Sequence, residues 1–147
     1  SDYANLFFRR TKMATFANVT LNDGQATSVA HTFAVKSNDN QVSVFEDRSG
    51  GVPVGYGKLI FRTSETSDQR TVKVDILVPI LEAVSGANAA GFTPPAKVAY
   101  QNIGKLEFRT SLRSTLQQRN DIVAYVKNAA ALALTKSIVV DSEEISG

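Results

Sequence analysis

The cleanest alternation of apolar and polar residues runs through positions 70–79. Val72, Val74, Ile76 and Val78 fall on one side of an extended chain, and Thr71, Lys73, Asp75 and Leu77 on the other. Successive side chains leave a strand in opposite directions, so this pattern predicts one buried face and one wet face. A second long strand is predicted over 97–110. There Leu106 and Phe108 share a face with Gly104, while Ile103, Lys105, Glu107 and Arg109 share the other. Upstream, a strand over 56–64 ends in the polar loop 65–69. A short strand over 41–46 follows the turn cluster Ser37-Asn38-Asp39-Asn40. Ser49-Gly50-Gly51-Val52-Pro53 reads as a flexible joint. Asn22-Asp23-Gly24 is a strong turn signal between extended segments at 15–21 and 26–35, which predicts a β-hairpin over 14–35. Residues 1–12 have no clear period and read as an N-terminal arm. Residues 85–95 are small, glycine-containing and proline-ended, and read as a loop.

After residue 110 the period changes. Ser114-Thr115 can cap a helix, with Gln117 or Gln118 near the capping-box position. Leu116, Ile122, Val123, Val126 and Ala130 then recur at helical spacing. Residues 129–134 extend that helix or begin a second one. The reading is an α+β fold in a single domain over 1–147. It has an N-terminal β-hairpin, a five-stranded antiparallel meander sheet within 41–110, two C-terminal α-helices within 114–138 and an acidic tail over 139–147. A sheet with one apolar face needs a cover, and the helical material is short and comes last. A subunit can fold its own helix back, or exchange helices with a second copy; the short helices favour association.

Composition narrows the function. With 147 residues, 43% apolar and 20% charged, the chain has ordinary globular composition. A net charge of +2 does not announce a nucleic-acid binder, so any affinity for a polyanion rests on where the cations sit. The absence of cysteine removes disulfides, thiol catalysis and cysteine zinc sites. No apolar run approaches the roughly 20 residues that span a bilayer, so no membrane partner is expected. The opening Ser1-Asp2-Tyr3-Ala4-Asn5 does not read as a signal peptide, because Arg9, Arg10 and Lys12 follow Leu6-Phe7-Phe8 and precede no long apolar core.

Alternation and meander pairing turn Lys58, Arg62, Thr71, Lys73, Lys105 and Arg109 to the same side, with Asp75 and Glu107 among them. Rows of cations can contact phosphates. The same rows can equally be a solvated face with cross-strand ion pairs. The arm cations Arg9, Arg10 and Lys12 read better as a solubilising tail or a contact with a neighbouring subunit. His31 is the only histidine and has no acid close in sequence, so it reads as a surface or packed strand residue. Neither Asp68 with Asp75 nor Glu143 with Glu144 is placed in a cleft. Gly50-Gly51 and Gly55-x-Gly57 lack the lysine and helix of a phosphate-binding loop. The stripe Leu116, Ile122, Val123 and Val126 reads as core or dimer interface. No catalytic residue, metal ligand or cofactor is expected, and the chain does not read as an enzyme.

Three stretches resemble one family. They are Thr71-Val72-Lys73-Val74-Asp75-Ile76; Pro94-Pro95-Ala96-Lys97-Val98-Ala99-Tyr100 leading to Lys105-Leu106-Glu107-Phe108; and Ser114-Thr115-Leu116-Gln117-Gln118-Arg119-Asn120-Asp121-Ile122-Val123. In order and spacing they resemble the coat proteins of single-stranded RNA bacteriophages, the leviviruses, from about Ala14 onward. The resemblance implies an intertwined homodimer whose two sheets join, with helices packed over the partner through Leu116, Ile122, Val123 and Val126. It implies an icosahedral shell in which a loop carrying Ser85, Gly86, Asn88, Gly91, Phe92 and Pro94 meets its copies around symmetry axes. It further implies genomic RNA on the inner face at Lys58, Arg62, Thr71, Lys73, Asp75, Lys105, Glu107 and Arg109. A replicase-start RNA hairpin whose binding represses translation, a maturation protein as partner, and assembly of the virion in the bacterial cytoplasm complete the expectation. The chain departs from the family in its longer arm, and in Ile103 where the family often has a tyrosine that stacks on a base; Tyr100 is three residues away. The rival reading is a dimeric nucleic-acid-binding regulator that forms no shell.

Overall fold

The computed structural model describes residues 16–83, 86 and 90–146. The expected arm over 1–12, and Ser85 and Asn88 of the expected symmetry-axis loop, lie outside the described residues. Six strands form one antiparallel sheet in chain order: β1 (Val19–Asn22), β2 (Ala30–Asp39), β3 (Val42–Asp47), β4 (Gly57–Glu65), β5 (Gln69–Leu81) and β6 (Val98–Ser111). Two helices follow, α1 (Leu116–Ala130) and α2 (Ala133–Val140).

The expected five-stranded sheet is therefore a six-stranded one, continuous with the first hairpin. The reason lies in β2. Its first residues pair with β1, in the register Phe33 to Val19 and Ala30 to Asn22. Its later residues pair with β3, from Ala34 opposite Glu46 to Asp39 opposite Val42. The change of partner falls between Phe33 and Ala34, and a register shift between Val35 and Ser37 interrupts the pairing with β3. Ser37, Asn38 and Asp39, expected to turn, instead lengthen the strand, because β3 supplies backbone partners that outweigh their weak strand propensity. The loop before β2 is also longer than expected. Asp23 organises it by accepting the Gln25 and Val29 N–H groups at 3.2 and 2.9 Å.

β5 carries Pro79 well inside its span, although proline cannot donate to a ladder. The position tolerates it because β4 starts only at Gly57. Pairing with β4 extends only to Lys58 opposite Leu77, so at Pro79 the strand is paired through β6 alone. The joint before β4 consists of two 3₁₀ turns, Arg48–Gly50 and Pro53–Gly55, and Gly51 closes the first at φ 78°.

Helix α1 starts as its sequence dictates. Thr115 Oγ1 accepts the Gln118 N–H at 3.2 Å, and Gln118 Oε1 accepts the Thr115 N–H at 2.9 Å. This reciprocal box satisfies two donors that have no partner inside the helix. We expect Thr115→Ala to lower stability by about 1 kcal/mol, read as a shift in denaturant midpoint with unchanged slope. Helix α2 leaves α1 at a bend of 53°. The Thr135 hydroxyl ties it back to the Ala129 carbonyl at 2.6 Å. Neither helix alone is long and apolar enough to cross a membrane.

The core is confined to one half of the sheet. Phe33, Phe45 and Leu59 are buried, with Phe16, Val19, Leu21, Val35, Phe61, Val74 and Ile76 packed around them. Phe45 meets Phe16 at 5.1 Å and Phe61 edge-on at 5.7 Å between ring centroids. Toward β6 the same face is bare: Val78 and Leu106 are exposed. The helices do not cover it. No helical residue is buried, and α1 meets the sheet along β6. Of the stripe expected to be core or interface, Leu116 is 68% exposed, Val123 53% and Ile122 40%, with Val126 half-buried. This chain's own core is thus excluded as its role. The chain exposes 12010 Å², where a self-contained fold of 15.8 kDa exposes roughly 7,300 Å².

Candidate nucleic-acid interface

The register of β3 to β6 fixes what shares the polar face. Across β4 and β5, Lys58 lies opposite Leu77, Arg62 opposite Lys73, and Ser64 opposite Thr71. Across β5 and β6, Thr71 lies opposite Arg109, Lys73 opposite Glu107, and Asp75 opposite Lys105. Arg62, Thr71, Lys73, Asp75, Lys105, Glu107 and Arg109 therefore form one contiguous patch. Lys58 lies on the same face at the edge of the patch: its partner Leu77 is two residues along β5 from Asp75, about 7 Å at strand rise, and Lys58 lies opposite Glu46 on its other side.

Within the patch the acids hold the arginines. Asp75 accepts from Arg62 Nη1, and Glu107 accepts from Arg109 Nε at 2.8 Å. The Arg109 hydrogen bond holds the Glu107 carboxylate below its ordinary value; partial burial opposes this, and the charges of Arg109 and Lys73 reinforce it. Among the described residues, no carboxylate lies within ion-pair distance of Lys58, Lys73 or Lys105. Arg62 and Lys73, like charges directly opposite each other, are an unfavourable cross-strand pair. An anion between them would relieve it.

Beside that pair the surface dips into a concavity of about 230 Å³, lined by Gln41, Val42, Arg62, Thr63, Ser64, Thr71 and Lys73. Drug-sized ligands occupy roughly 300 Å³ or more, so this space suits one planar ring or one phosphate. Ser64 and Thr71 offer hydroxyls that donate and accept, Lys73 a cation, and Val42 an apolar wall. Val42 and Ser64 were missed in the sequence. Ser64 was countable, since the 65–69 loop sets it across from Thr71. Val42 was not, because its place depends on the pairing of β3 with β4.

Ile103 lies on the polar face opposite Leu77, whereas Tyr100 pairs with Ile80 in the alternate phase. Tyr100 therefore cannot stand in for a tyrosine at position 103. In the loop before β6, Gly91 adopts φ 78° and Phe92 is exposed. The lone His31 does have acids near it: Asp23 and Asp47 approach its two ring nitrogens. They stand eight and sixteen residues away, so sequence proximity could not reveal them.

Comparison with known proteins places this architecture. A solved virus-like particle of bacteriophage ESE058 is 26% identical with a TM-score of 0.83, covering 90% of this chain and all of its own (100%). That of bacteriophage NT-214 is 27% identical with a TM-score of 0.78, over 90% and 100% of the two chains. The bacteriophage GA protein capsid, 14% identical with a TM-score of 0.69 over 87% and 96%, shares the fold. No curated protein matches the chain. The levivirus coat protein profile matches residues 14–145, and with the sheet, the two trailing helices and the order of elements in agreement, the chain belongs to the levivirus coat protein family.

Proposed function

We propose that this chain is the shell-forming subunit of a single-stranded RNA phage, acting as a homodimer that encloses genomic RNA against its polar sheet face. One observation carries the reading: the apolar helices and the bare β5–β6 half of the sheet are both uncovered in the isolated chain. A second copy related by a twofold axis brings each uncovered surface to the other. Leu116, Ile122, Val123 and Val126 then lie over the partner's sheet. The fourteen-residue β6, paired on one side through β5, joins its counterpart edge to edge. Dimers meet through the loop of Ser85, Gly86, Asn88, Gly91, Phe92 and Pro94 around the shell's symmetry axes. The related ESE058 and NT-214 chains are both solved as virus-like particles, which supports the shell.

On the inner face, Lys73 and Lys105 contact phosphates, and Arg62 and Arg109, oriented by Asp75 and Glu107, extend the track. Lys58 marks its far end. The concavity at Thr71 and Ser64 takes one base of an RNA hairpin. A hairpin seated there at the replicase start couples packaging to translational repression. The maturation protein joins the same shell, and assembly takes place in the bacterial cytoplasm.

Expression of the chain, followed by size-exclusion chromatography and electron microscopy, tests the proposal. Uniform particles containing RNA are the expected result. A stable dimer that never forms shells would instead support a regulator, and a monomer would overturn both readings.

A further inference from the structure

His31 sits on β2 in phase with Phe33 and Val35, at one end of the buried cluster. Its ring lies between two carboxylates from different parts of the chain. Nε2 is 3.0 Å from Asp23 Oδ2 in the loop after β1, and Nδ1 is 3.0 Å from Asp47 Oδ2 at the end of β3. Both carboxylates are fixed by other donors. Asp23 takes the Val29 and Gln25 N–H groups, and Asp47 takes the Ser49 N–H at 3.0 Å and so caps a 3₁₀ turn.

An ionised carboxylate only accepts, and a neutral imidazole has one N–H and one lone pair. Neutral His31 can satisfy one of these acids and must turn its lone pair toward the other. Only the imidazolium donates to both. We propose that His31 is a proton-operated clasp: doubly protonated, it ties the tip of the first hairpin to the end of β3, and loss of one proton unfastens that tip.

The hairpin it holds carries Val19 and Leu21, which pack on the Phe33, Phe45 and Leu59 cluster. Unfastening therefore loosens the margin of the core. Asp23 and Asp47 are the charged groups acting on the ring, and they raise its titration, Asp23 by its hydrogen bond most. The cations nearest along the chain are turned elsewhere: Arg48 and Lys36 face Glu46 at 3.6 and 3.7 Å. Asp23 is held well below the usual carboxylate range, first by the Val29 N–H and then by His31. Burial pushes Asp47 up, but Ser49 and His31 outweigh it and leave it below its ordinary value. Both acids are thus ionised wherever the imidazolium exists near neutrality. Because the folded His31 value is raised, its contribution is complete below about pH 6.5, the unfolded value, and is lost as pH rises through the folded value.

Nitrogen NMR of the expressed protein, labelled at its single histidine, tests the clasp whether the protein is a dimer or a particle. We expect both ring nitrogens protonated on the acid side of a single titration centred above about 6.5. We also expect the gap in denaturant midpoint between the wild type and His31→Gln to shrink as pH rises through that titration. A titration centred at or below about 6.5, or a gap independent of pH, overturns the clasp. Should His31→Gln not fold, Asp47→Asn provides the second arm. It must lower the His31 titration, and an unmoved titration overturns the proposal equally.

Discussion

Leu59→Ala is expected to remove about 2 to 5 kcal/mol of stability. Leu59 is 2% exposed and lies between Phe45 on β3 and Ile76 on β5 in the strand register. Truncation deletes three carbons from the centre of a small cluster whose other buried members are Phe33 and Phe45. The rings around it are pinned to neighbouring strands by backbone hydrogen bonds, so the space cannot collapse fully. Typical domain stability is roughly 5 to 15 kcal/mol, which makes this one change a large share of the total. Denaturant unfolding should show a lower midpoint at unchanged slope. Leu59→Met keeps the volume and should cost less than about 1.5 kcal/mol. Equal effects from the two substitutions would mean that shape at this position does not matter, and would refute the packing argument.

The second large effect concerns RNA. Lys73→Gln combined with Lys105→Gln should weaken RNA binding by about thirty-fold near 0.15 M salt, and should flatten the dependence of log affinity on log salt by roughly 1.4 to 1.8. Neither lysine has a carboxylate within ion-pair distance among the described residues, so the cost is a lost partner for phosphate with no broken ion pair. Charge reversal to glutamate should reduce packaged RNA further. It also sets a glutamate at 105 opposite Asp75, a like-charge pair, which is why the glutamine variant is the cleaner reading. Dimer formation should survive, because both lysines lie on the face away from Val74 and Leu106. Lys58→Gln, at the edge of the patch and opposite Glu46, should matter less. Normal RNA content in the double variant would refute the assignment of this face.

Local patterns were legible in the sequence because their causes are local. Val72 to Val78 and Leu106 to Phe108 alternate, and that alternation fixes which residues share a face once the hairpins are in register. Thr115 and Gln118 announce a helix start within four residues. The sheet's sixth strand was hidden because β2 divides its pairing between two neighbours, with a register shift at Val35 and Ser37. No alternation survives such a shift, and Ser37, Asn38 and Asp39 are turn formers by composition. The stripe on α1 was visible as apolar spacing, but its exposure was not. Periodicity says that Val123 wants burial; it cannot say what supplies it. The His31 contacts depend on three segments meeting, and no local signal encodes that.

The two rims of this sheet are unequal. β1, at one border, is four residues long, while β6, at the other, is fourteen. Rim-to-rim union of two β6 strands about a twofold axis would limit the sheet to two molecules: each spends its single long border, and among the described strands no second long border is left to extend the sheet to a third. An endless cross-β filament needs two long borders per molecule, one to join and one to be joined. By carrying a stubby border at the opposite end, the chain can present a long strand edge in crowded conditions without seeding an endless sheet.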